Sequence, residues 1–238
     1  NMFIVNIFSF TIIYMSEIQN YYTKIKTAKP LPNPNFNLHN MNIPFRSIIV
    51  APSGSGKTNF LTNMIGKFSR GKGTFFSATV ITANKDEDLY NFLEEQGVEV
   101  KEGLRNTPDL DKFDKKKAHL VVFDDLVLTK DLDVVSKYYI RARKMNVSVV
   151  FLSQRYTPVP LMVRENVNYL FILKMGNKRS IRLMMSEFAL DLDLDQLVNM
   201  YSYATKDKFN TLTIDKESSD PTKSFRRNFL EYLDPDDF

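Results

Sequence analysis

Arg46-Ser47-Ile48-Ile49-Val50-Ala51-Pro52-Ser53-Gly54-Ser55-Gly56-Lys57-Thr58 decides how this chain is read. Arg46–Val50 is a short apolar run of β type, and Gly56–Phe68 has helical character. Between them lies a turn rich in Gly and Ser. Strand, glycine-rich turn, Lys-Thr and helix in that order form a phosphate-binding loop. Gly54 and Gly56 let backbone N–H groups curl around phosphate oxygens, because glycine adopts left-handed conformations cheaply. The helix start adds its own unpaired N–H donors and the positive end of its dipole. The cofactor-binding set is therefore Ser53, Gly54, Ser55, Gly56, Lys57 and Thr58. Lys57 reaches the β- and γ-phosphates of ATP, and the Thr58 hydroxyl ligates Mg²⁺. The usual pattern begins with glycine. Here that position is Ala51, small enough for the loop still to close.

A second element supports the first. Leu120-Val121-Val122-Phe123-Asp124-Asp125 is a fully apolar run ending in two acids. A buried parallel strand presents its C-terminal acids at the edge where ligands bind in open α/β sheets. Asp124 is the expected metal-side group and Asp125 the expected general base toward an attacking water. The run Ser148–Leu152 ends in Ser153-Gln154, a polar tip suited to sensing a γ-phosphate or aligning water. Arg141 and Arg143 precede that run, and Arg155, Arg164 and Arg179 follow it. Spacing alone does not choose among these arginines.

Working outward, β-type runs at Thr79–Thr82, Val98–Val100, Val147–Leu152 and Tyr169–Leu173 alternate with helical stretches at Asp86–Gln96 and Lys130–Lys144. Near-continuous apolar strands between helices predict an α/β fold, a mostly parallel sheet with helices on both faces. Ile181–Phe188 and Leu192–Tyr203 read as helices, Thr211–Ile214 as a late strand, and Asp234–Phe238 as a frayed acidic tail. The expected organisation is an apolar N-terminal extension at 1–15, an extended lead-in at 16–45, an ATPase core at 46–190, and a small helical and β extension at 191–238. Met2–Tyr14 is apolar but shorter than the ~20 residues of a membrane span. It also lacks the basic flank and cleavage site of a signal peptide. It reads as upstream read-through ahead of Met15-Ser16-Glu17, as a short membrane-seeking anchor, or as an element packed on the core.

Composition narrows the chemistry. The chain has no cysteine, which excludes disulfides, thiolate zinc sites and cysteine nucleophiles. Its two histidines, His39 and His119, are too few for a His-based metal site. The net charge of +4 mildly favours a polyanionic partner. Lys115-Lys116-Lys117 and the set Lys174, Lys178, Arg179 and Arg182 are candidate phosphate-backbone contacts.

The phosphate loop, the Asp124-Asp125 strand and the segment Arg141–Arg155 together resemble the FtsK/HerA superfamily of DNA-pumping ATPases. Within it they look most like the genome-packaging ATPases of large DNA viruses and virophages. The resemblance runs from Ile43 to Met175. It implies a RecA-like P-loop ATPase core, Gln154 as the sensor, and Arg143 as an arginine finger acting on a neighbouring subunit, with Arg141 as the fallback. It also implies a homo-oligomeric ring, pentameric or hexameric, that threads double-stranded DNA independently of sequence. A viral capsid vertex would be a partner and a membrane would not. The place of action would be the host cytoplasm or viral factory, with association with virions. Asp125 departs from the glutamate common in the family. The alternatives are a helicase or DNA-segregation motor of the same superfamily, a small P-loop nucleotide or metabolite kinase, and a non-catalytic scaffold. The catalytic set expected on the leading reading is Lys57, Asp125, Gln154 and Arg143.

Overall fold

A computed structural model describes residues 20–24, 30–126, 132–188 and 192–238. The apolar run Met2–Tyr14 and Lys130, the expected start of the helix Lys130–Lys144, lie outside these residues. Tyr21–Lys24 forms one 3₁₀ turn, closed by Thr23 Oγ1 donating to the Asn20 carbonyl at 2.7 Å. The described residues from Leu31 onward belong to a separate unit.

Nine strands form one sheet: β1 (Arg46–Val50), β2 (Ser77–Thr82), β3 (Glu99–Glu102), β4 (His119–Asp124), β5 (Val147–Ser153), β6 (Tyr169–Leu173), β7 (Thr211–Asp215), β8 (Phe225–Arg227) and β9 (Glu231–Tyr232). Their order is β3-β2-β4-β5-β1-β6-β7-β8-β9. The first six in that order are parallel, and β7 to β9 continue the sheet antiparallel. Among the described residues the α-helices are α1 (Phe36–His39), α2 (Lys57–Phe68), α3 (Asp88–Glu95), α4 (Asp133–Arg141), α5 (Leu161–Glu165), α6 (Lys178–Glu187) and α7 (Leu194–Ala204).

The central strands are buried on both faces, and their alternating side chains divide into two cores. Ile49, Val80, Val122, Val150 and Phe171 face α2 and α3 through Phe60, Met64 and Leu93. Val50, Val121, Phe123, Phe151 and Ile172 face the other side with Tyr138, Val163, Met184 and Met200 from α4 to α7. This is the expected parallel sheet with helices on both faces.

Several boundaries differ from the sequence reading. The helix expected from Asp86 begins at Asp88, because Asn84 Oδ1 accepts the Asp86 N–H at 3.0 Å and holds a turn. The strand expected at Val98–Val100 is Glu99–Glu102, a largely polar edge strand with little apolar signal. The helix expected to Lys144 tightens into a 3₁₀ turn at Ala142–Met145, which Asn146 ends in a left-handed conformation (φ 54°). The lead-in segment is not extended throughout. It contains α1, and Asn35 Nδ2 fastens it to the Phe68 carbonyl at 2.7 Å. The tail is packed rather than frayed. Pro235 is buried, Gln196 donates to its carbonyl, and Phe238 lies 5.4 Å from the Tyr203 ring. Strands β8 and β9 escaped the sequence reading because they are short and carry Arg, Glu and Tyr rather than an apolar run.

One buried ion pair joins the antiparallel strands to the lead-in segment. Arg226 is 1% exposed, contacts Asp215 at 3.1 Å and donates to the Asn40 carbonyl at 2.6 Å.

Candidate nucleotide site

Strands β4, β5 and β1 are adjacent and parallel, so their C-terminal tips meet at one edge. The register aligns Val50 with Ser153, and Asp124 with Leu152. The residues that follow these tips, Ala51–Thr58, Asp125 and Gln154, therefore emerge side by side. They surround a cleft of ≈ 360 Å³ lined by Gly54, Lys57, Thr58, Asp124, Asp125 and Gln154, among others.

The phosphate loop has the backbone its chemistry needs. Gly54 and Gly56 stand at φ 72° and 94°, and Gly56 opens α2 without any side-chain cap. No acidic residue occupies the first turn of α2. Its N-terminal N–H groups and positive dipole end thus face the cleft with no acidic side chain of α2 itself to neutralise them. Ala51 in the place of the usual glycine is no obstacle. It is fully buried, and its N–H extends the β1–β5 ladder to the Ser153 carbonyl at 3.0 Å.

Asp124 and Asp125 are consecutive, yet both line the cleft. In a continuing strand they would point to opposite faces. Asp125 instead turns left-handed (φ 55°), a conformation aspartate tolerates better than most residues. Gln154 Nε2 donates to both Asp125 carboxylate oxygens, at 2.8 and 2.9 Å. Asp124 is 2% exposed. Burial raises its carboxyl from the ordinary value to about 6, against the opposing pull of the Tyr90 hydrogen bond and the Lys57 ammonium.

Two contributors were not legible in the sequence. Tyr90, on α3, donates its hydroxyl to Asp124 Oδ2 at 2.6 Å. Burial and the neighbouring Asp124 carboxylate push the Tyr90 phenol well above its usual range, so it stays a donor. Glu87 lies in the loop after β2, with both carboxylate oxygens 3.4 Å from Thr58 Oγ1. Neither carries a motif. Their only sequence signal is that they follow the strand next to β4 at the same sheet edge.

The donor set fits a magnesium ion. Magnesium keeps several waters and takes one or two carboxylates together with substrate phosphates, rather than a cage of protein ligands. Thr58, Asp124 and the cleft between them offer that, and no cluster of three His, Asp or Glu able to hold a metal occurs among the described residues.

Arg143 stands elsewhere. It lies in the turn before β5, at the sheet edge opposite the phosphate loop, where it is exposed and its side chain makes no hydrogen bond or ion pair among the described residues. It does not join Lys57, Asp125 and Gln154 within one chain. Arg141 contacts Asp111 at 3.5 Å, and Arg164 is engaged by Glu187 and the Val159 carbonyl. The basic groups also separate. Lys115–Lys117 precede β4 and Lys174 follows β6, so the two clusters occupy opposite edges of the sheet.

Strand order, phosphate loop and acidic strand tip together define a P-loop α/β protein of RecA-like architecture. The chain belongs to the Poxvirus A32 protein family, which matches residues 34–220. The DNA packaging protein OPG160 of Variola virus is 28% identical over 144 residues, covering 54% of this chain and 53% of that protein. The Vaccinia virus (strain Copenhagen) protein of the same name gives the same figures. The chain spans about half the length of these curated relatives. Among solved structures, the genome packaging NTPase B204 of Sulfolobus turreted icosahedral virus 2, in complex with ATP-gammaS, superposes with a TM-score of 0.54 at 12% identity. That match covers 79% of this chain and 98% of B204. The complex of B204 with AMPPCP gives 0.54 at 13% identity over the same shares. At such identities the likeness is one of fold.

Proposed function

We propose that this chain is an ATP-hydrolysing motor that translocates double-stranded DNA and packages a viral genome into its capsid. The observation that carries the hydrolase reading is the Gln154–Asp125 pair beside the phosphate loop. A scaffold that only binds nucleotide has no use for a carboxylate held in that position. The family membership and the DNA packaging proteins among the relatives carry the DNA reading.

The residues divide the work. The loop N–H groups of 53–58 and Lys57 bind the phosphates of ATP and neutralise charge that builds on the γ-phosphate. Thr58 and Asp124 would hold Mg²⁺, which would supply positive charge against the phosphates of ATP. Tyr90 fixes the Asp124 carboxylate. Asp125 accepts a proton from the attacking water, and Gln154 orients Asp125 and, through its free amide oxygen, the water. Arg143 cannot reach its own cleft, which suits a finger offered to a neighbour in a homo-oligomeric ring of five or six subunits. The capsid vertex would be the ring's docking partner, and the host cytoplasm or viral factory its place of action. Among the described residues no helix is long and apolar enough to cross a membrane.

The deciding experiment is the ATPase rate of the full chain with and without long double-stranded DNA. Strong stimulation is expected. ATP turnover that ignores DNA but responds to a small phosphate acceptor would replace the motor with a P-loop kinase.

A further inference from the structure

Beside the phosphate cleft lies a second groove, of ≈ 420 Å³, lined by Asn59, Asn63, Phe209, Asn210, Arg227 and Leu230 among others. Asn59 lines both, so the two adjoin at the start of α2. The direction of a bound triphosphate is set by the cleft itself. Asp125 and Gln154 mark the end where the terminal phosphate stands, and Lys57 and Thr58 take the β- and γ-phosphates. The chain of phosphates then leads past Asn59, and whatever is attached to the α-phosphate enters the second groove.

Phe209 stands at that exit. It lies in the turn between α7 and β7, 44% exposed, with its ring against the phosphate loop. A Cβ on Gly56 would meet Phe209 Cδ1 at 2.4 Å. The missing side chain of Gly56 therefore serves two ends: the left-handed loop backbone and the seat of this ring. Phe209 itself has φ 72°, an outlier for a bulky residue. Such a backbone persists only where neighbours over-determine it, and such sites cluster at ligand clamps. The neighbours are present. Asp207 pairs with Arg227 of β8, Asn228 Nδ2 donates to Asn210 Oδ1 at 2.9 Å, and Phe229 stacks on Phe60 of α2 at 5.1 Å and 3°. These contacts fix the turn that sets the exposed Phe209 ring against the phosphate loop, with the Lys208 ammonium 4.8 Å from the ring centre.

We infer that Phe209 is the platform on which the base of the bound nucleoside triphosphate stacks, and that the groove between α2 and the α7–β7 turn is the nucleoside subsite. This rests on the reading of the cleft as a nucleotide site and adds the residue that grips the nucleoside. Stacking uses the face that every base possesses, so the platform favours a nucleotide over bare polyphosphate without choosing strongly among bases.

The test compares equilibrium binding of ATP and of inorganic tripolyphosphate to the full chain by calorimetry. Phe209→Ala is expected to weaken ATP by at least about fivefold, as loss of one base–aromatic stack does, and to leave tripolyphosphate unchanged. Phe209→Tyr should keep ATP affinity. Equal loss for both ligands would mean that Phe209 merely props the loop, and no loss for ATP would mean that the base lies elsewhere. Either overturns the proposal and leaves the nucleotide site standing. A wild-type chain that binds neither ligand overturns both. The chain contains no tryptophan, so Phe209→Trp supplies a single reporter. Quenching by ATP but not by tripolyphosphate supports stacking; an equal response to both, or none, counts against it.

Discussion

Gln154 holds Asp125 by both carboxylate oxygens, at 2.8 and 2.9 Å, across the tips of two adjacent strands. In the proposed mechanism this carboxylate works on the attacking water rather than in binding. Gln154→Ala should therefore lower kcat by ~10²-fold, the lower range for losing an aligned general base. ATP affinity should stay within about threefold, since the interaction removed matters in the transition state. Steady-state kinetics alongside calorimetry check this, and a variant that loses affinity but keeps kcat would assign Gln154 to binding.

Lys57→Ala removes the cation proposed to take the β- and γ-phosphates. Hydrolysis should become undetectable in a phosphate-release assay. Near-normal turnover would take the loop out of the mechanism.

Asp124 makes metal binding and stability respond to pH in opposite senses. Burial raises its carboxyl in the free protein to about 6. Binding of Mg²⁺ to the free protein, which needs the ionised form, should weaken as pH drops through about 6. Tyr90→Phe removes a hydrogen bond that favours the ionised form, so this acid limb should move to higher pH. Stability runs the other way. The folded state holds the proton more tightly than the unfolded state, so this group's contribution is full below about 4 and is lost as pH rises to about 6. A rise from 3.8 to about 6 corresponds to an upper limit of about 3 kcal/mol. Asp124→Asn, measured by thermal melting, should gain stability over wild type at pH 8 and little at pH 4. A variant less stable at pH 8 would mean that the charge is compensated in the free protein.

Arg226 joins the antiparallel strands to the lead-in segment. Arg226→Ala leaves Asp215 buried without its partner, at a cost of about 3–5 kcal/mol. Denaturant unfolding should show this loss, and a change below about 1 kcal/mol would reduce the pair to a surface-like contact.

The two basic clusters give a final measurement. If phosphate-backbone contacts hold DNA, affinity should fall steeply between low and high salt, and neutralising Lys115, Lys116 and Lys117 together should flatten the slope. Binding insensitive to salt would remove both clusters from the interface.

The sequence by itself determined the parallel core and its phosphate loop. Continuous apolar strands such as Leu120–Phe123 and Val147–Leu152 have no alternative to burial on both faces, and Gly54, Gly56 and Lys57 make a loop whose chemistry is local. It also singled out Asp124, Asp125 and Gln154, because polar residues at the end of an apolar run have only the sheet edge to occupy. The tertiary structure decided what depends on distant segments meeting. The left-handed turn at Asp125 brings two consecutive acids over one cleft. The pairing of β2 with β4 carries Tyr90 to Asp124 and Glu87 to Thr58. The folding of β7 to β9 onto α2 sets Phe209 against Gly56. It also sent Arg143 to the far edge of the sheet, because a residue preceding a parallel strand stands a full strand length from one that follows it.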